Sequence, residues 1–158
     1  MCGIAGYISK DSTSELEQNT GYMLDAIEHR GPDDSGVWID SKSGVALGHR
    51  RLSVIETSHA GHQPMISNCG RYVIVFNGEI YNHLSLRGSL NANFDWKGGS
   101  DTETLLECIS KLGLKEALKL SVGMFAFALW DNENKILSLA RDRLGEKPLF
   151  YGWCQGQF

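Results

Sequence analysis

Residues 71–78, "RYVIVFNG", decide how this chain is read. Tyr72 to Phe76 are five successive apolar residues, a run that predicts a strand buried on both faces. Residues 123–131, "GMFAFALWD", repeat the pattern from Met124 to Trp130, and the polar "DNEN" at 131–134 reads as a turn into a partner strand, "KILSLARD". Working outward, residues 2–9 predict a first strand. Ser12 and Ser14 each precede a glutamate by three (Glu15, Glu17), the spacing of a capping box. Leu16, Thr20, Met23, Leu24 and Ile27 then recur at helical intervals, predicting an amphipathic helix over roughly 14–29. Gly31-Pro32 must end it. Short strands follow near 35–40 and 44–50. Two or three helices separate the buried strands, and in the clearest of them Leu105, Cys108, Ile109 and Leu112 share one face.

Several strands, some covered on both sides, with helices inserted between them, describe two packed sheets flanked by helices in an α+β domain. With no repeat, low-complexity stretch or linker, residues 1–158 read as one domain. A formal net charge of -4 argues against non-specific nucleic-acid or membrane binding. No apolar stretch approaches the roughly 20 residues of a spanning helix. The N-terminus lacks the basic and apolar segments of a secretory signal. The four cysteines are scattered, without a C-x-x-C pair or zinc-ligand spacing, so reduced thiols in the cytoplasm are expected. Cys108 falls on the apolar helical face, while Cys69 and Cys154 carry no sign of chemistry.

Five stretches could hold a site. In "MCGIAGY" (1–7), removal of Met1 would leave Cys2 with a thiol and a free α-amine, whose reference pKa of about 7.7 to 8.0 suits a general base. A small buried strand residue is the competing reading. In "FNGEIYN" (76–82), the Asn77 amide and the Gly78 N–H could form an oxyanion hole, or Asn-Gly could simply end the strand in a turn. "LGHRRLSV" (47–54) offers an arginine for a carboxylate, and alternation lets Arg50 or Arg51, not both, face a given pocket. "GGSDTE" (98–103) contains a capping box, Ser100 and Glu103. Asp101 beside them could favour the helix start or hold an ammonium group. "HRGPD" (29–33) and "RDRLGEKPLFY" (141–151) read as loops held by ion pairs.

Taken in order, "MCGIAGY", "HRGPDDSG", "GHRRLSV", "QPM", "FNGEIYN", "GSDTE", "GMFAFALWD" and "RDRLGEKPLFYG" resemble class II glutamine amidotransferases. More narrowly, they are similar to the amidotransferase domain of glutamine-hydrolysing asparagine synthetases. The resemblance implies a four-layer αββα sandwich of the N-terminal-nucleophile hydrolase type. It makes Cys2 the nucleophile, with its α-amine as base, and Asn77 with the Gly78 N–H the oxyanion hole. It selects Arg51 over Arg50 for the glutamine α-carboxylate, gives Glu79 and Asp101 to the α-ammonium, and adds a backbone contact at Val54. The implied partners are L-glutamine and a synthetase domain of the same chain, following the point where this sequence stops, which would pass ammonia to aspartate or a related acceptor. ATP and magnesium belong to that domain; no cofactor is expected here, and no phosphate loop of the G-x-x-x-x-G-K-[ST] type is present. A homodimer is left open. A catalytically silent glutamine-binding domain is the rival, but it leaves the complete Cys2, Asn77 and Gly78 set unexplained.

Overall fold

In the computed structural model, which describes residues 1–10, 12–54, 56–90, 94–154 and 156–158, the two apolar runs form the centre of a sheet. The elements in chain order are β1 (Gly3–Ile8), α1 (Thr13–Ala26), β2 (Asp34–Asp40), β3 (Val45–Arg51), β4 (Met65–Ile66) and β5 (Tyr72–Ile80). They continue with α2 (His83–Ser89), α3 (Asp101–Leu112), α4 (Leu114–Leu120), β6 (Gly123–Asp131) and β7 (Ile136–Arg141). One antiparallel sheet has the order β1-β3-β2, and the other β4-β5-β6-β7.

Period-2 alternation splits each buried strand between two cores. Val73 and Val75 of β5 and Ala128 and Trp130 of β6 meet Val45 and Leu47 of β3 between the sheets. Ile74, Phe76, Phe125 and Phe127 pack instead under Leu105, Leu106 and Ile109 of α3. Tyr7 and Ala46 cover Leu16 of α1 on the far side of the first sheet. The layers therefore run helix, sheet, sheet, helices. No helix among the described residues is long and apolar enough to cross a membrane.

Three details differ from expectation. β5 does not turn at Asn77-Gly78 but runs on to Ile80, because Gly78 pairs with Phe125 and Ile80 with Gly123 of β6. The first helix starts at Thr13 with Ser12 as its N-cap, whose N–H donates to Glu15 at 2.9 Å, so Ser14 caps nothing. It stops at Ala26, ahead of Gly31, and Glu28–Arg30 form a separate 3-10 turn.

Candidate active site

Cys2 stands one step before β1, and alternation puts it on the same side as Ile4 and Ile8, between the sheets. The same count places His49 and Arg51 with Val45 and Leu47 on β3, and Asn77 and Glu79 with Val73 and Val75 on β5. Arg50 points the other way, its guanidinium 2.7 Å from Asp25 on α1. At the edge of the inter-sheet space a cavity of about 200 Å³ is lined by Cys2, Arg51, Val54, Asn77, Gly78, Glu79 and Asp101 together. All seven residues singled out from the sequence thus border one space.

The thiol is held by its neighbours. The Leu52 N–H lies 3.4 Å from the Cys2 Sγ, and the Leu52 carbonyl lies 3.7 Å away. Arg30 Nε donates to the Cys2 carbonyl at 3.2 Å. "HRGPD" is therefore more than a helix stop. A Cβ on Gly31 would sit 2.5 Å from the Arg50 carbonyl, so only glycine lets this segment lie against the end of β3. Asp33 then clasps that end, its N–H donating to the Arg51 carbonyl at 3.0 Å and its carboxylate accepting the Ser53 N–H at 2.8 Å.

The edge of β5 supplies hydrogen-bond donors. β4 pairs only with Val73 and Ile74, so beyond them the outer edge of β5 has no partner strand among the described residues. Outward N–H groups recur every second residue. That of Phe76 donates to Gln63 Oε1 at 2.7 Å, and that of Ile80 to Asp101 Oδ2 at 2.8 Å. The Gly78 N–H lies on the same edge between them, with no side-chain acceptor among the described residues. Glycine is required there, since a Cβ would come within 2.2 Å of the Met124 carbonyl. The Asn77 amide borders the cavity and likewise makes no hydrogen bond among the described residues. Next to it, the Phe76 carbonyl accepts from His49 Nε2 at 3.1 Å. Burial pushes the His49 imidazole down to about 4, so this ring is neutral and serves as a brace between the sheets.

Charges of both signs complete the lining. Two of the five Arg51 donors reach the Ser58 carbonyl, at 2.9 Å, and the Glu56 carbonyl. The Glu56 carboxylate accepts N–H groups of Gly99 and Ser58, which hold it down to about 2. It ties the loop after β3 to the "GGSD" loop. On α3 the capping and cavity readings both apply, to different residues: Ser100 Oγ accepts the Glu103 N–H at 3.1 Å, which leaves Asp101 to face the site. Burial pushes the Asp101 carboxyl up, against the pull of the Ile80 and Thr102 N–H groups.

Sequence reasoning gave no role to Gln63, Glu56 or Lys147, which line the same cavity. Gln63 lies in "QPM" and Lys147 in "GEKPLF", and both are buried polar residues in loops, where no periodicity marks them. A second, larger cavity of about 790 Å³ shares Cys2 and Asn77 with the first and extends between the sheets along Leu47, Val75, Ala128, Leu137 and Leu139. The thiol stands where the two meet. Among the described residues no group of three or more His, Cys, Asp or Glu is placed to hold a metal ion.

A layered α+β domain with a thiol, open amide donors and paired charges around one cavity is equipped to hold a zwitterion and attack a carbonyl. The whole chain, residues 1–158, matches the family model described as a glutamine amidotransferase domain, and the chain belongs to that family. It is 37% identical to a putative asparagine synthetase [glutamine-hydrolyzing] 2 of Methanocaldococcus jannaschii, over all of this chain and 33% of that protein. It is 39% identical to asparagine synthetase [glutamine-hydrolyzing] 3 of Bacillus subtilis, over 96% of this chain and 25% of that protein. It is 38% identical to amidase chry2 of Gibberella zeae, over 96% of this chain and 24% of that protein. The chain spans about a quarter to a third of the length of these relatives.

Proposed function

We propose that this domain is a glutaminase of the N-terminal-nucleophile type, converting L-glutamine to L-glutamate and ammonia through a thioester on Cys2. The observation that carries the reading is the meeting of Cys2, Asn77, Gly78, Arg51, Glu79 and Asp101 around one cavity. With Met1 removed, the Cys2 α-amine takes the thiol proton and the sulfur attacks the carboxamide carbon. The Asn77 amide and the Gly78 N–H, both without competing acceptors among the described residues, receive the developing oxyanion. The C–N bond breaks as the amine returns its proton to the leaving ammonia. Water then hydrolyses the thioester to release glutamate and restore the thiol.

Arg51 receives the α-carboxylate with donors that its backbone contacts leave over, and Glu79 with Asp101 receives the α-ammonium. The Val54 backbone adds a further contact. Because these groups read the amino-acid end, an amide one methylene shorter would stop short of the thiol. The larger cavity opens from the same sulfur and offers ammonia a way out along apolar side chains. We place the consumer of that ammonia in a synthetase domain of the same chain, in the cytoplasm, with ATP and magnesium confined to that domain. The asparagine synthetase names of two of these relatives favour aspartate as acceptor, and a related carboxylate is the alternative.

Glutaminase assay of protein whose intact mass shows loss of Met1 tests the reading. Turnover in that sample and none in Cys2→Ala is expected. Equal rates in the two would overturn the Cys2 mechanism.

A further inference from the structure

Lys147 borders the site described above, and the proposed mechanism leaves it without a part. It is only 6% exposed, and its side chain lines the same cavity as Cys2. Its ammonium makes one hydrogen bond among the described residues, to the Met1 Sδ at 3.2 Å, and no carboxylate lies within ion-pair distance of it. A buried cation without a counter-charge is costly, and such groups persist where they serve a site. Here the one partner is the residue that must leave for Cys2 to become the terminus.

We propose that Lys147 is a positioning residue for the first step: once Met1 is gone, its ammonium stands beside the new amino terminus and keeps that amine unprotonated, ready to take the thiol proton. The inference rests on the glutaminase reading above. The Met1 Sδ is five bonds from the Cys2 nitrogen, so Lys147 Nζ lies within about 10 Å of that nitrogen. A like charge at about 8–10 Å, at an effective dielectric near 20, lowers the proton affinity of an amine by roughly one to one and a half pH units.

The other charged groups around the amine are already engaged or stand further along the cavity. Arg30 binds the Cys2 carbonyl and adds to the same effect. Arg51 is turned to the Glu56 and Ser58 carbonyls. The carboxylates of Glu56 and Asp101 are each taken by two backbone N–H groups. Glu79, on β5, also lines the cavity, and its charge opposes the effect. His49 is neutral. The charge in contact with residue 1 is that of Lys147.

The test is the pH profile of glutaminase kcat/KM for the Met1-free wild type, Lys147→Met and Lys147→Arg, with Cys2 alkylation by iodoacetamide as a readout free of glutamine. In Lys147→Met the acid limb of both profiles should move up by about one pH unit. That is roughly a tenfold loss at pH 6 and near-parity at pH 9, with Lys147→Arg restoring the wild-type limb. Limbs that coincide in Lys147→Met and wild type overturn the proposal. Should the variants fail to fold, an NMR titration of ¹³C-labelled Cys2 in the wild type decides. An amine that titrates clearly below its ordinary range of about 7.7 to 8.0 supports the proposal, and one within or above that range overturns it. A Met1-free wild type that hydrolyses no glutamine sinks the parent reading instead.

Discussion

Replacing Asp101 with asparagine separates a substrate contact from a structural one. Both carboxylate oxygens accept backbone N–H groups, Ile80 at 2.8 Å and Thr102 at 2.9 Å. An asparagine offers one oxygen, so one of the two N–H groups then faces an NH2. An unsatisfied buried donor costs about 1–3 kcal/mol. Burial already opposes the charge at this position, which offsets part of that. A net loss of about 1 kcal/mol, or a Tm lower by about 2–4 °C, follows for a chain of this size. Glutamine loses a charge-assisted hydrogen bond of about 1.5–3 kcal/mol, which raises KM roughly 10- to 100-fold with kcat little changed. The acid limb should change too. In the wild type the carboxylate is lost as pH falls through a value above the ordinary 3.8, so KM climbs on the acid side, whereas in the variant that climb disappears. Steady-state glutaminase kinetics and a thermal melt on the same samples check both. A KM within twofold of wild type, or a Tm lower by more than about 10 °C, would refute the assignment and leave Asp101 a helix-start residue.

Two further outcomes follow from loop residues. Gln63→Leu removes the acceptor of the buried Phe76 N–H, so urea unfolding should report a loss of about 2 kcal/mol. Its kcat should fall more than its KM rises, because that bond fixes the backbone beside Asn77. Asp142 accepts N–H groups from Phe125, Leu144, Glu146 and Lys147, which outweigh its burial and hold it down to about 2. A depressed carboxylate stabilises the fold above its unfolded pKa of 3.8 and loses that contribution as pH falls through 2. Asp142→Asn should therefore cost about 2 kcal/mol at pH 7 and about half as much at pH 3, measured by urea unfolding at the two pH values.

The layers were legible because burial on two faces leaves an uninterrupted apolar run, and "RYVIVF" and "MFAFALW" are such runs. The site was half legible. Alternation from Ile4, Leu47 and Val75 already assigns Cys2, Arg51 and Asn77 to the inter-sheet side, provided the strands reach that far. The Asn77-Gly78 dipeptide argued that one did not. Its turn propensity is local, and it lost to pairing with β6, where Gly78 is needed because a Cβ would strike the Met124 carbonyl. β4 could not be foreseen, since two residues carry no period. Gln63 and Lys147 stayed hidden for a different reason. Their burial comes from loops folding onto the sheet ends, and no local pattern encodes a contact between residue 147 and residue 1.

That last contact also bears on how a chain terminus could serve as the catalytic group of the proposed mechanism. The ladder of β1 on β3 begins with Gly3 opposite Arg50, so Met1 contributes no rung. Met1 is 60% exposed, and taking it away leaves the β1 pairing, the Arg30 bond to the Cys2 carbonyl and the Leu52 contacts in place. At the other end of the same strand, Ile8 exchanges two backbone hydrogen bonds with Phe158, which covers that stretch of the β1 edge. The terminus is thus held from its second residue onward. Freeing the amine would then ask nothing of the fold except a new neighbour for Lys147, and in the proposed mechanism that neighbour is the base.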